Sequence, residues 1–466
     1  MAPSFGTSGL RGLVAEMTPD LVSAHVHAFI AACAIGNGIF IGRDLRESSP
    51  ALARIVASAA VERGVSVTDC GAVPTPALAL AAMRAGAAAI MVTGSHIPAD
   101  RNGLKFYTPQ GELTKAGEAA IAGALSGGLA ASPGPSGTIE TCDAGAPYRE
   151  RYRRAWGPAA LSGRRIGIYA HSSVARDLLD EILTGLGAET VEFGRSTQFV
   201  PVDTEAVSAQ TRGLLQGWAA DGGLDAIVST DGDGDRPLMT DETGRVIPGD
   251  ILGQITAAAL GAQIVVTPVS SNTGVEASGR FAKVIRTRIG SPYVIAAMEA
   301  ERDAGGAPPP RIVGYEANGG FLLGFDAMTP GGTLDALMTR DSLLPLIAPL
   351  VQAGDAGLAA LVAAQPPRFT ASDRLQDIPP ARALALIARL QGEATARDAF
   401  LTAFDARLDR ADTTDGLRLH LDRGRIVHLR PSGNAPELRV YAEAPSADMA
   451  GSLLATGLDL LRGELA

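Results

Sequence analysis

Along most of the chain, short β-branched and apolar runs alternate with longer Ala- and Leu-rich stretches, the pattern of strands joined by crossover helices. Gly38–Gly42 reads as a strand, Ser49–Arg63 as a helix, Val65–Cys70 as a strand, Pro76–Ala85 as a helix and Ala88–Val92 as a strand. The pattern restarts with strand Arg165–Tyr169, helix Val174–Leu186, strand Thr190–Phe193, helix Thr204–Ala219 and strand Asp225–Ser229. From Asp250 it restarts once more: a helix, strand Gln263–Val269, a helix near Gly274, strand Lys283–Arg288, helix Pro292–Arg302 and strand Arg311–Gly314. The tail is different. Gly416–Leu421 and Arg425–Leu429 alternate around Asp422-Arg423-Gly424, a hairpin signal, and Glu437–Glu443 adds a further strand.

This predicts an α/β protein: three tandem α/β domains with mixed sheets plus a smaller C-terminal antiparallel α+β domain. The Gly-, Ser- and Pro-rich stretch Ser126–Gly137 and the segment Gln365–Pro367 read as linkers, and the Arg-rich helical run Tyr148–Ala155 marks the start of the second unit. The boundaries expected are 1–150, 151–247, 248–365 and 366–466.

Charge narrows the partners. With 40 Lys+Arg against 50 Asp+Glu the net charge is −10, whereas a protein that holds nucleic acid by bulk charge needs a basic face. Cys33, Cys70 and Cys142 form neither a CxxC motif nor a disulfide framework, which fits a reducing compartment. Met1–Leu10 lacks the basic start and apolar core of a secretory signal. The apolar runs Ala28–Gly36 and Leu343–Val351 fall short of the roughly 20 residues that span a bilayer. A soluble cytoplasmic protein without membrane or nucleic-acid partners is expected.

In open α/β sheets, ligands bind beyond the carboxyl ends of the strands. Each repeat ends its last recognised strand in a polar loop: Thr93-Gly94-Ser95-His96, then Thr230-Asp231-Gly232-Asp233-Gly234-Asp235-Arg236, then Tyr315-Glu316-Ala317-Asn318-Gly319-Gly320. The tail offers Arg430-Pro431-Ser432-Gly433-Asn434. Four loops of different chemistry on four domains suggest one central cleft.

Three carboxylates as close as Asp231, Asp233 and Asp235 repel by roughly 4 kcal/mol per pair at about 4 Å and an effective dielectric of 20. Their natural partner is a hard divalent cation, and Mg²⁺ retaining some water fits; a solvated acidic turn is the alternative. Asp231, Asp233, Asp235 and Glu242 also match the spacing of a calcium loop, but the position that needs Gly is Arg236, and a strand precedes it. Ser95 sits at a strand end after a glycine, exposed enough for a nucleophile, with His96 and Lys105 near in sequence. A phosphorylated serine brings about two negative charges, which a cation on the aspartates balances. Arg430, Ser432, Gly433 and Asn434 combine backbone N–H groups, a hydroxyl and a guanidinium, a set suited to a phosphate dianion. Glu316 and Asn318 can hydrogen-bond vicinal hydroxyls. Each of the last two loops, taken alone, is equally readable as an ordinary turn.

Together the loops resemble the α-D-phosphohexomutase family, and among its branches the bacterial phosphomannomutases. The likeness runs in order over nearly the whole chain: FGTSGLRG from Phe5, VTGSHIPADRNGLKFY from Val92, DGDGDR from Asp231, GYEANGG from Gly314 and RPSGNAPELRVYAEA from Arg430. The resemblance implies four domains around the cleft, with Ser95 phosphorylated in the resting enzyme. It implies that Asp231, Asp233 and Asp235 hold Mg²⁺ together with a phosphate oxygen on Ser95. Arg11, His96 and Lys105 would surround the transferring phosphoryl group, Lys105 assisting proton transfer, with Arg236 beside the metal loop facing the sugar. Glu316 and Asn318 would bind sugar hydroxyls, and Arg430, Ser432, Gly433 and Asn434 the phosphate that is not reacting. Two loops depart from the family pattern. Its sugar loop commonly reads GExSGH, where this chain has Asn318 for Ser and Gly320 for His; its phosphate loop commonly has Thr-Glu where this chain has Asn434-Ala435. The usual cationic position is not evident in Gly290-Ser291-Pro292-Tyr293.

The expected activity is reversible transfer between the 6- and 1-positions of a phosphorylated hexose, mannose above others, in a monomer or weak homodimer. Phospho-Ser95 would donate to the substrate, and the bisphosphorylated sugar would turn round inside the cleft, with hexose 1,6-bisphosphate as activator. Phosphoglucomutase, phosphoglucosamine mutase and a non-catalytic sugar-phosphate binding protein are the alternatives.

Overall fold

A computed structural model describes residues 3–6, 9–128, 137–306, 308–432 and 436–465. The first three sheets share one plan. In the first, Val67–Ala72, Ile39–Arg43 and Ala88–Val92 lie side by side and parallel, and Arg101–Thr108 pairs antiparallel with the last of them. In the second, Glu189–Phe193, Arg165–Tyr169 and Ala226–Thr230 are parallel, followed by antiparallel Pro237–Thr240. In the third, Lys283–Thr287, Ile264–Pro268 and Ile312–Tyr315 are parallel, followed by antiparallel Phe321–Leu323. The three polar loops are therefore equivalent. Each is the turn by which the third parallel strand reverses into its antiparallel neighbour.

The closing strands are less visible in the sequence because Asn102, Gly103 and Lys105 interrupt the apolar pattern of Arg101–Thr108. The helix expected over Thr204–Ala219 begins only at Ala209. Ser208 caps it by accepting from Thr211 N, and Asp203 ties the preceding turn by accepting from Glu205 N and Ala206 N. Helices Pro19–Ala32, Lys115–Gly127 and Leu344–Ala353 add to those the periodicity predicts. Most of the linker expected over Ser126–Gly137 lies outside the described residues.

The fourth sheet is antiparallel, in the order Phe369–Leu375, Leu438–Ala444, Arg425–Pro431, Leu417–Leu421 and Leu408–Asp412. Its apolar face carries Leu417, Val427, Leu429 and Val440 against Leu386, Leu390 and Leu461 of two helices, a core of its own. The other three units share a continuous core that runs from Leu78 through Tyr152, Ile168 and Leu252 to Leu346. Helix Gly145–Trp156 strengthens that union, because the hydroxyls of Tyr148 and Tyr152 both donate to buried Asp341 in the third unit. The junction with the fourth unit is polar. Glu443 accepts from Thr273 N at 2.9 Å, Arg368 Nε at 2.6 Å and Arg418 at 3.1 Å, and Asp415 accepts from Ile289 N. Among the described residues, no helix is long and apolar enough to cross a membrane.

Candidate active site

Ser95 is fully buried and has a φ of +55°, a left-handed conformation that costs a non-glycine residue about 1–3 kcal/mol unless its surroundings hold it. Here they do. Thr93 Oγ1 accepts from Ser95 N at 2.7 Å and donates to Asp44. The guanidinium of Arg46 donates to the carbonyls of Ser95, Ile97, Pro98 and Arg101, while its Nε pairs with Asp44 at 3.1 Å. Gly94 is obligatory beside it, since a Cβ there would lie 2.6 Å from the guanidinium carbon. The turn is thus wrapped around one buried arginine, and the Ser95 hydroxyl, expected from its strand-end position to be exposed, is buried because it points across the domain boundary.

Its target is the aspartate loop. Ser95 Oγ donates to Asp231 Oδ2 at 2.6 Å, a contact between the first and second domains. The backbones touch as well: a Cβ at Gly232 would stand 2.7 Å from the Ser95 carbonyl oxygen. Asp231 Oδ1 accepts from the backbone N–H groups of Asp235 and Arg236, curling the loop. Asp231, Asp233 and Asp235 are all buried, each offering a carboxylate oxygen within 4.8 Å of the others. Lys105 Nζ bridges two of them, 2.6 Å from Asp233 and 2.5 Å from Asp235. Burial, then Asp233 and Asp235, push the Asp231 carboxyl well above its usual range. Burial acts the same way on the other two, but Lys105 and Thr75 hold Asp233 below that range, and Arg340 and Lys105 hold Asp235 below it.

The trio passes a physical test for a divalent cation. Asp233 Oδ1 and Asp235 Oδ1 are buried without a hydrogen-bond partner, an expensive arrangement that a hard cation with oxygen ligands relieves.

The remaining candidate residues converge from three domains. His96 Nδ1 lies 3.3 Å from Ser95 Oγ and 2.9 Å from Arg236 Nη1. A guanidinium only donates, so Nδ1 is the acceptor and the imidazole proton is on Nε2. Burial, reinforced by Arg236, Arg11 and Lys105, pushes His96 well below the usual imidazole range, so the ring is neutral. Arg11 lies across Gly103, whose Cβ would meet its Cγ at 3.2 Å. Burial and the Arg236 charge bring its guanidinium down to about 10. Glu316 is buried 3.7 Å from Arg340 Nη1. Asn318 is turned inward: its Oδ1 accepts from Gly320 N at 3.0 Å, and its carbonyl accepts from Thr204.

The polar face of the fourth domain's sheet carries Arg430 and His428. Arg430 Nε pairs with Asp415 at 2.9 Å, and Ser432 N donates to Glu437 O. Gly433 and Asn434 lie outside the described residues. A cavity of about 410 Å³ separates this face from the second and third domains, lined by residues that include Glu205, Asp250, Arg418, His428 and Tyr441.

Four participants have no motif of their own: Arg46, Thr75, Glu112 and Arg340. Thr75 Oγ1 donates to Asp233 Oδ2 at 2.6 Å. Arg340 Nη2 stands 3.0 Å from Asp235 and its Nε 3.5 Å from Glu112. Arg46 and Arg340 were within reach of the strand-end rule, since each sits in an Asp/Arg pair at the carboxyl end of an apolar strand.

Comparison with known proteins covers the same ground. Models of the phosphoglucomutase/phosphomannomutase domains match in order: alpha/beta/alpha domain I over residues 2–128, domain II over 149–244, domain III over 248–368, and the C-terminal domain over 381–456. The chain is 46% identical to a phosphomannomutase of Sinorhizobium fredii, across 100% of both proteins. It is 44% identical to a phosphomannomutase of Salmonella muenchen, across 99% of this chain and 96% of that one. A phosphoglucosamine mutase of Alkalilimnicola ehrlichii is 31% identical, across 95% and 93%. Among solved structures, a phosphoglucomutase/phosphomannomutase family protein from Burkholderia thailandensis superposes with a TM-score of 0.78 at 22% identity, covering 98% of this chain and 96% of that one. The Aspergillus fumigatus N-acetylphosphoglucosamine mutase, solved with GlcNAc-6P and magnesium, superposes at 0.61 with 14% identity, covering 100% and 96%. These two show the fold alone.

Proposed function

Since this chain belongs to the phosphoglucomutase/phosphomannomutase family and interconverts hexose 6-phosphate and hexose 1-phosphate as an intramolecular phosphotransferase, we propose that mannose is its sugar and Ser95 its phosphoryl carrier. The full-length phosphomannomutase relatives support the sugar. The observation that carries the carrier is the Ser95 hydroxyl, strained and buried in one domain, 2.6 Å from the acidic trio of another.

Asp231, Asp233 and Asp235 would hold Mg²⁺, a reading supported by their clustered carboxylates and the unpartnered Oδ1 atoms of Asp233 and Asp235. When bound, the ion offsets charge on the transferring phosphoryl group. Ser95 carries that group. The bond from phosphorus to Oγ breaks as one forms to the free hydroxyl of the sugar, and the hydroxyl proton ends on Oγ; we assign that relay to Lys105. Arg11 and Arg236 face the phosphoryl oxygens with fixed positive charge. Neutral His96 holds Arg236 beside the serine by accepting from its Nη1. Glu316 orients the sugar, Asn318 shapes the loop around it and offers its amide, and Arg430, Ser432, Gly433 and Asn434 grip the phosphate that is not reacting. The bisphosphorylated sugar then turns within the cleft, screened from water by the fourth domain, and the second transfer regenerates phospho-Ser95. Free hexose 1,6-bisphosphate would prime the serine.

Peptide mass analysis of the purified chain is expected to find phosphate on Ser95, and Ser95→Ala is expected to abolish turnover. Steady-state kcat/KM on mannose, glucose and glucosamine 1-phosphates is expected to be highest for mannose. Full mutase turnover by Ser95→Ala would end the carrier assignment; a preference for another sugar would end only the substrate assignment.

A further inference from the structure

We infer that Arg340 is a positioning residue of the transfer site and that it forms a matched pair with Gly320: from the neighbouring strand it supplies the charge that fixes Glu316 against the metal loop, in space that a side chain at 320 would take. The inference rests on the mutase reading of Glu316 and the aspartates.

Strand Leu337–Asp341 pairs antiparallel with Phe321–Leu323, Phe321 opposite Asp341. Arg340 thus lies behind the end of the sugar loop and is 2% exposed. It faces carboxylates from three domains: Asp235 at 3.0 Å, Glu112 at 3.5 Å and Glu316 at 3.7 Å. A guanidinium, rigid and always charged, can address several carboxylates at once where an ammonium acts as one point. Moving it would release Glu316 from Asp235, and with it the distance between sugar and reacting group.

Gly320 shows what this arrangement requires. Its φ lies outside the left-handed region, so the backbone there accepts any residue. Space is what excludes one. A Cβ at 320 would stand 2.9 Å from both Cγ and Cδ of Arg340 and 3.2 Å from Asn318 Oδ1. Cγ is near the root of the side chain and cannot swing aside without carrying the guanidinium off its carboxylates. The glycine that departs from the resembled loop pattern is therefore the counterpart of an arginine on the adjacent strand.

The test compares the full-length chain with Arg340→Lys, Arg340→Ala, Gly320→Ala and the double variant Gly320→Ala/Arg340→Ala. Arg340→Ala is expected to lose about a hundredfold in kcat/KM, mainly through a raised KM for mannose 1-phosphate, with phosphate still found on Ser95. Arg340→Lys should recover part of it. Gly320→Ala alone should show a similar loss, and adding it to Arg340→Ala should cost nothing further, as expected of residues acting on one interaction. Melting temperatures should show the same non-additivity. Gly320→Ala or Arg340→Lys within twofold of the parent in kcat/KM, or effects that add in full, would overturn the pairing. If the parent turns over no hexose phosphate, the mutase reading has failed. The melting-temperature cycle then decides the Gly320–Arg340 pair on its own.

Discussion

Lys105 holds two aspartates by its ammonium, in the position of charge that a cation on the same trio would take. Removing one member of a buried charge cluster costs about 3–5 kcal/mol because its partners are left uncompensated. Lys105→Met is therefore expected to melt well below the parent in the absence of metal and to be restored by Mg²⁺ by a larger increment than the parent gains. Thermal denaturation with and without Mg²⁺ checks this, and equal increments in the two proteins would refute the competition. At this scale the sequence was informative where chemistry is concentrated in one loop. Asp231, Asp233 and Asp235 announce themselves by repulsion alone. Thr75 and Glu112 do not, because their partners are far away in the chain: Thr75 meets Asp233 across 158 positions. Asn318 shows the opposite limit. Its type suggests a sugar ligand, while its carbonyl oxygen Oδ1 is spent on Gly320 N, a local bond that no spacing argument weighs.

At the scale of elements, the recurrent unit is a parallel triplet followed by a reversal. The parallel strands and crossover helices were legible in the first three domains, with strand Ala88–Val92 found at the bounds its apolar run predicts. The reversing strands were harder to read, since Lys105 sits within one of them. Yet the reversal is what turns each loop toward its neighbours. The serine and aspartate loops approach so closely that Gly232 has no room for a methyl group. Gly232→Ala is accordingly expected to lower kcat by about a hundredfold, the penalty of displacing the two loops by about 1 Å, and to lower the melting temperature too, since a methyl group forced into a filled site costs about 1–3 kcal/mol. Steady-state kinetics beside a thermal melt would test it; unaltered kcat would mean that the two loops can separate without harm.

Over the whole molecule, three domains share one apolar core and the fourth keeps its own, joined through a polar junction of the kind that permits relative movement. One consequence concerns pH. His428, on the cavity face of the fourth domain, donates from Nε2 to Asp415 O at 2.6 Å and is pushed down to about 4 by burial, with Arg418 adding to the effect. Because the unfolded chain takes up that proton first, near pH 6.5, the stability from keeping the ring neutral is complete above that value. It is lost between there and about pH 4, by on the order of 3 kcal/mol. Asp250 on the facing wall, raised by burial to about 6, acts in the opposite sense, gaining stability as pH falls. His428→Phe should therefore lose less stability than the parent between pH 7 and 4.5 in calorimetry; parallel curves would exclude the histidine. The fourth domain's separate core has a consequence for descent too. A single chain crossing at Gln365–Pro367 joins it to the rest, so one genetic recombination there can exchange the whole unit that carries Arg430 and Ser432 while the loops of Ser95 and the aspartates are inherited intact.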